Sequence, residues 1–107
     1  MEFKKVKLVL TVPATHADIV RKAIGDAGSG IVGNYTHCSF SSKGTGRFLP
    51  EEGANPHIGE VGIFEKVEEE RIEVTCDIEI IEKVILSMKE VHPYEEVAYD
   101  VYPLLSY

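Results

Sequence analysis

The sequence predicts an α+β fold: a ferredoxin-like split βαβ sandwich, with a mostly antiparallel sheet and two helices on one face. Two observations predict it. Segments with apolar residues at every second position alternate with two segments in which apolar residues recur at helical spacing. These segments follow in the order strand, helix, strands, then strand, helix, strand within 107 residues. That length favours a single domain, 1–107, with one core.

The first strand and the first helix are predicted in the N-terminal third of the chain. Apolar residues alternate over Lys5–Val12, and Pro13 ends this strand because proline has no N–H to donate to a sheet. Thr15 and Asp18 have the spacing of a capping box at a helix start, and Gly28 supplies the C-terminal stop. The helix is expected to bury the stripe Ala17, Val20, Ala23, Ile24 and Ala27.

The middle of the chain is predicted to contain extended segments separated by a long loop. A polar strand is predicted over Asn34–Ser42, and further extended segments over Ile58–Val67 and Glu69–Cys76. The acidic run Glu68–Glu70 is interpreted as a solvated turn. Lys43–His57, about fifteen residues with three glycines and two prolines, is predicted to be a loop. Loops of this length in compact domains are usually functional or mobile.

The second helix has the clearest pattern in the sequence. Its apolar stripe comprises Ile78, Ile81, Val84, Ile85 and Met88. Asp77 is the predicted N-cap, and Pro93 ends the helix because the residue before a proline is pushed out of the helical region. Val97–Leu104 is predicted to be the last strand. Leu10 and Ile85 are both expected in the core.

Charge and composition exclude several functional classes. The chain has 11 Lys and Arg against 18 Asp and Glu, a formal charge of −7, which argues against binding a nucleic-acid backbone. No apolar run approaches the roughly 20 residues that span a bilayer. Cys38 and Cys76 are too few for a disulfide scaffold and suit a reducing compartment. The sequence therefore predicts a cytoplasmic protein that binds neither nucleic acid nor membrane.

Two segments carry candidate binding chemistry. Lys43 and Arg47 flank Gly44-Thr45-Gly46, where backbone N–H groups and two cations suit an anion. The established phosphate-loop spacings are absent, which favours a plain hairpin or loop bend over anion binding. The second segment, His92-Pro93-Tyr94-Glu95-Glu96, is the densest cluster of functional groups. It is interpreted as a helix-to-strand corner or subunit contact, with acid–base chemistry or metal binding as alternatives.

Four motifs in sequence order resemble the insert domain of the Nif-three-like family (NGG-interacting factor three; YqfO type in bacteria). They occupy residues 28–40, 44–50, 65–73 and 92–100, and the similarity covers nearly the whole chain. His92-Pro93-Tyr94-Glu95 is also similar to the corner before the last strand of CutA, the trimeric divalent-cation-tolerance protein. Both resemblances imply a PII-like or CutA-like sandwich that assembles into trimers.

The resemblance does not carry over a hydrolase activity. Full-length family members have a larger flanking domain with a dinuclear metal site, and its His-rich motifs have no counterpart in this sequence. What the resemblance implies is therefore the fold, a tendency to oligomerise, and binding of a small ligand or a partner. No resident cofactor is expected, and a divalent metal ion is left as an open alternative.

Two functional hypotheses follow. The first is a non-enzymatic PII/CutA-like module, a homotrimer or a multiple of one, that binds a small ligand, metal ion or protein partner at clefts between subunits. Its predicted ligand-binding residues are Asn34, Tyr35, His37, Lys43, Arg47 and Tyr94, and its predicted metal ligands are His92, Glu95 and Glu96. The alternative is a small metal-dependent hydrolase in which His37, His57, His92, Glu95 and Glu96 converge on one ion.

Overall fold

The sheet and helices follow the predicted order in the computed structural model, which describes residues 2–107. The elements are β1 (Lys5–Pro13), α1 (Ala17–Asp26), β2 (Phe40–Phe48), β3 (Glu65–Asp77), α2 (Ile81–Val91) and β4 (Tyr99–Leu104). The strands form one sheet in the order β2-β3-β1-β4, and each neighbouring pair is antiparallel. This arrangement confirms the ferredoxin-like sandwich.

The core lies between one face of the sheet and the two helices. Alternate residues of β1 and β3 point into it, and α1 and α2 contribute their apolar stripes. Leu10 is 1% exposed, as predicted. Ile85 is only partly buried and packs against the core from its margin, so its predicted place in the core holds only in part; Val84 and Met88 are the fully buried residues of α2.

The opposite face of the sheet, here called the outer face, carries no helix. Register places Phe40 and Glu73 beside Val9 in one row, and Tyr102 beside Lys7 in the next. Phe40 is 68% exposed and Tyr102 is 44% exposed. Val9, on the central strand β1, is only 5% exposed, so it is the two edge strands that leave this end of the outer face bare. At its other end, near Gly46 and Glu69, it is covered by residues 49–64 and 92–98.

The predicted strand and loop boundaries in the middle of the chain were wrong. The strand over Asn34–Ser42 begins only at Phe40, and the predicted loop Lys43–His57 supplies strand as far as Phe48. The physical reason is pairing. Glycine has a low β propensity, but Gly44 and Gly46 lie opposite β3, and hydrogen bonding with β3 keeps both of them in a strand. The two extended segments after the loop are likewise one strand beginning at Glu65. The true loop is 49–64.

The predicted helix caps were also wrong. A turn of 3-10 helix, Ala14–His16 before α1 and Ile78–Ile80 before α2, separates each strand from its helix, and neither helix has a side-chain cap. The Asp77 carboxylate instead lies 2.6 Å from the Lys5 ammonium. Between residues 2 and 107, no helix is both long and apolar enough to cross a lipid bilayer.

Candidate ligand-binding cleft

A cleft of about 640 Å³ lies at the covered end of the outer face. Its base is the sheet, and its walls are the loop 49–64 and the corner 92–98. One hydrogen bond links the two walls, because the Asn55 N–H donates to a Glu95 carboxylate oxygen at 2.9 Å. Within the loop, the Gly62 N–H donates to the Pro50 carbonyl at 2.8 Å. The first bond therefore joins the two walls, and the second closes the loop on itself.

The floor of the cleft joins a buried carboxylate to an aromatic pair. The Tyr94 hydroxyl donates to Glu69 Oε2 at 2.8 Å, and the Tyr94 ring meets Phe48 edge-on with centroids 5.8 Å apart. Burial, and then the hydrogen bond with Glu69, raises the pKa of Tyr94 well above its usual value. The hydroxyl therefore stays protonated and keeps donating to Glu69 throughout the ordinary pH range.

His92 fixes the position of Tyr94 from behind. Its Nε2–H donates to the Thr11 carbonyl at 2.8 Å, and its Nδ1 accepts the Tyr94 N–H at 3.2 Å. This pattern requires the neutral tautomer with the proton on Nε2. Burial lowers the pKa of His92, against a smaller raising effect of the Thr11 hydrogen bond, so the neutral form is favoured. Both ring nitrogens are thus used in positioning the corner.

The cleft also has a charged rim of both signs. Lys43, Arg47 and Arg71 contribute cations, and Glu95 and Glu96 contribute carboxylates. Register places Lys43 and Arg47 on the helix-facing side of β2, since they pair with Glu70 and Lys66. Their side chains therefore start on the face of the sheet opposite the cleft, at the open edge that β2 forms.

The structure brings five of the predicted site residues to this cleft and leaves the others elsewhere. Lys43, Arg47, Tyr94, Glu95 and Glu96 line it. Asn34, Tyr35 and His37 lie in the exposed segment between α1 and β2, away from the cleft. There His37, at φ 59°, places its Nε2 2.8 Å from a carboxylate oxygen of Asp26, at the end of α1.

Glu69 and Phe48 are the cleft residues that sequence reasoning missed. Glu69 was assigned to a solvated acidic turn, which was wrong, because it is 8% exposed in the middle of the β3 ladder. Glu68 is exposed, and alternation along β3 explains the difference between these two neighbours. Only the register of β3 against β1 and β2 carries that signal, and a local acidic pattern does not.

The predicted metal ligands do not form a cluster in the structure. Among residues 2–107, no group of three or more His, Cys, Asp or Glu side chains is arranged to hold a metal ion. His57 packs edge-on against His16, with ring centroids 5.8 Å apart. The structure therefore adds no support for a metal site at His92, Glu95 and Glu96, or for the hydrolase alternative. Both stay predictions.

Comparison with known proteins shows homology to part of a longer protein. No family model matches the chain. A GTP cyclohydrolase 1 type 2 homolog from Halalkalibacterium halodurans is 56% identical over 98 residues, which cover 92% of this chain and 26% of that protein. The crystal structure of a Bacillus cereus protein related to NIF3 superposes with a TM-score of 0.82 at 55% identity, covering 95% of this chain and 26% of that one. The chain thus spans about a quarter of the length of the curated relatives it matches.

Two more distant structures share the fold alone. The periplasmic divalent cation tolerance protein CutA from Archaeoglobus fulgidus superposes with a TM-score of 0.69 at 17% identity, covering 94% of this chain and 83% of that one. The complex of B. subtilis GlnK with ATP superposes with a TM-score of 0.64 at 14% identity, covering 97% and 84%. Both align over most of their own length, so this sandwich also occurs as most of a smaller protein.

Proposed function

Because the chain is homologous to one segment of the NIF3-related proteins and has the CutA and GlnK fold, we propose that it is a non-enzymatic binding module for a small organic ligand. The ligand occupies the cleft between the outer face, the loop 49–64 and the corner 92–98. The observation that carries this proposal is the convergence in one cleft of residues from two segments chosen independently from the sequence: 43–47 from the first and 94–96 from the second.

The shape and lining of the cleft support an organic ligand with an apolar body. Its volume lies in the range of about 300–1,000 Å³ that is typical of small-molecule sites. Phe48, Leu49, Pro50 and Ile58 supply apolar surface, while the charged groups at the rim supply orientation. Lys43 and Arg47 would contact an anionic group of the ligand, which is the role predicted for them from the sequence.

We also propose that the module works as a homo-oligomer, a trimer or a multiple of one, in the cytoplasm. The bare end of the outer face exposes Phe40 and Tyr102 directly beside the covered end that carries the cleft. A second copy on this surface would border the cleft and place it between subunits. Both cysteines, Cys38 and Cys76, are free thiols, which suits a reducing compartment.

Titration followed by ¹⁵N NMR tests the binding function. The probes are ATP, because GlnK has been solved with it, together with indole-3-propionate and tryptamine, which place opposite charges on one aromatic body. We expect saturable shifts at the amides of 43–48, 57–58 and 94–98 with at least one probe. If none of the three, at millimolar concentration, moves these amides in a saturable way, the proposal is wrong.

A matched pair of variants then tests the role of the rim cations. Replacing Lys43 and Arg47 together by alanine is expected to weaken the binding of ATP and indole-3-propionate about 10-fold. This is the effect expected when hydrogen bonds to charged groups are lost. The control replaces Lys22 and Lys83, which lie on the helices, and lowers the net charge by the same amount. Equal weakening in both double variants would mean that only long-range charge is involved.

A further inference from the structure

We propose that Glu69 receives a positively charged nitrogen of the ligand, an ammonium or guanidinium group, at the floor of the cleft. This inference rests on the proposed function, because it assigns one end of the ligand bound there. The ligand then carries a cationic head at Glu69 and an apolar body between the walls. The anionic group that Lys43 and Arg47 contact lies at its other end.

The first argument is the incomplete pairing of the Glu69 carboxylate. An ionised carboxylate has two oxygens and about four acceptor positions. In the described part of the chain, the hydrogen bond from Tyr94 to Oε2 is the one side-chain hydrogen bond that Glu69 makes, and Glu69 has no ion pair within 4.0 Å. The residue is nevertheless 8% exposed. Since no buried side-chain oxygen or nitrogen among residues 2–107 lacks a hydrogen-bond partner, Oε1 is open to the space of the cleft, where an arriving cation would form a charge-assisted hydrogen bond.

The nearest protein cation by register does not supply this counter-charge. Arg71 follows Glu69 by two positions, on the same face of β3, and it also lines the cleft. Its guanidinium lies 3.5 Å from the Glu73 carboxylate. The pairing of Arg71 therefore points along the strand toward the bare end of the sheet, and Oε1 of Glu69 is left for a group from outside the chain.

The second argument is the space that β2 leaves for this carboxylate. A Cβ atom built on Gly46 would overlap the carboxyl group of Glu69, with Oε1 as the atom it meets first. The carboxylate thus lies against bare backbone on one side and against Tyr94 on the other. Phe48 and Tyr94, whose rings meet edge-on beside it, supply the apolar surface for the ligand body next to this carboxylate.

The alternative is that Glu69 only anchors the corner through Tyr94. An anchor needs the hydrogen bond between them but has no need of the charge facing the cleft. The two roles differ in their consequence for ligand choice. An anchor affects all ligands alike, whereas a cation receptor distinguishes a charged head from a neutral one of the same shape.

The test compares tryptamine with tryptophol, which replaces the ammonium by a hydroxyl on the same body. Dissociation constants are measured from the cleft amides by ¹⁵N NMR at pH 7. We expect tryptamine to bind at least about 10-fold more tightly, as for a hydrogen bond between charged groups. In Glu69→Gln this preference should fall to within about 3-fold, while the control Glu68→Gln, exposed on the other side of β3, should keep it.

A second variant keeps the test valid if Glu69→Gln does not fold. Gly46→Ala retains every charge but moves the flexible end of Glu69, and it should also reduce the preference for tryptamine. Equal binding of the two probes by the wild type, or an unchanged preference in the Glu69 or Gly46 variant, overturns the inference. If indole-3-propionate alone binds in the cleft, the binding function stands and the cation site fails; if no probe binds there, both fail.

Discussion

At the scale of single residues, the corner after α2 combines a titratable group with a fixed hydrogen-bond pattern. His92 was chosen from the sequence because a histidine beside two carboxylates suggests metal binding or acid–base chemistry. The structure turns its ring inward, between the Thr11 carbonyl and the Tyr94 N–H, at 6% exposure. His92, which was chosen for its chemistry, therefore acts as a positioning residue for Tyr94.

The buried ring predicts a specific dependence of stability on pH. The pKa of His92 lies below its ordinary value of 6.5 in the folded protein, so the unfolded chain binds the proton more readily. The contribution of His92 to stability is complete above about pH 6.5 and is lost as the pH falls toward the lowered folded-state value. The free energy of unfolding, measured in urea, should fall less between pH 7 and pH 5 in His92→Gln than in the wild type. His57→Asn, at an exposed ring, is the control, and an equal loss in all three proteins would contradict the assignment.

Core burial gives a second prediction for individual side chains. Leu10→Ala removes a fully buried side chain and should lower the free energy of unfolding by roughly 2–5 kcal/mol. Ile85→Ala removes a side chain at the margin of the core and should cost about 1 kcal/mol. Chemical denaturation of both variants measures the difference. A cost for Ile85 equal to that for Leu10 would place α2 in a different rotation about its axis.

At the scale of elements, the sequence predicted what depends on local periodicity and missed what depends on pairing. Both helices and β1 were predicted because their apolar spacing records which face is buried. β2 was misplaced because Gly44 and Gly46 are read locally as loop residues, although β3 pairs with both of them. Tyr94 and Lys43 were predicted as binding residues from the chemistry of their side chains. Glu69 was not found, because its burial follows from the register of three strands.

The end of α1 offers a test of a contact between two elements. A glycine near a helix end is normally improved by alanine, by roughly 0.5–1 kcal/mol. At Gly25, however, the added Cβ would overlap the ring of His37, which also bonds to Asp26. Gly25→Ala should therefore destabilise the wild type but stabilise the His37→Ala background. The coupling from this double-mutant cycle should be about 1 kcal/mol or more, and simple additivity would show that the ring does not occupy this space.

At the scale of the whole molecule, the outer face is divided between two uses. Its covered end forms the cleft, and its bare end shows Phe40 and Tyr102 with charged groups of both signs around them. An antiparallel sheet can face water on one side, and the proposed assembly uses the two aromatic residues that this side exposes on its opposite edge strands. Both edge strands, β2 and β4, also have unpaired backbone groups that a cyclic assembly would protect.

The last prediction is that the bare end of the outer face holds the oligomer together. Light scattering at micromolar concentration should give a multiple of the monomer mass, with a trimer as the expected unit. Phe40→Glu combined with Tyr102→Glu should produce monomers, because each charge would have to be buried without a partner. Leu86→Glu, at a 64% exposed position on α2, is the matched control and should leave the mass unchanged.

A monomeric wild type would refute the assembly, and an unchanged mass in the double variant would move the interface to another surface. If a second copy borders the cleft, the double variant should also weaken binding of the probes there, since the neighbouring surface beside the site is then lost.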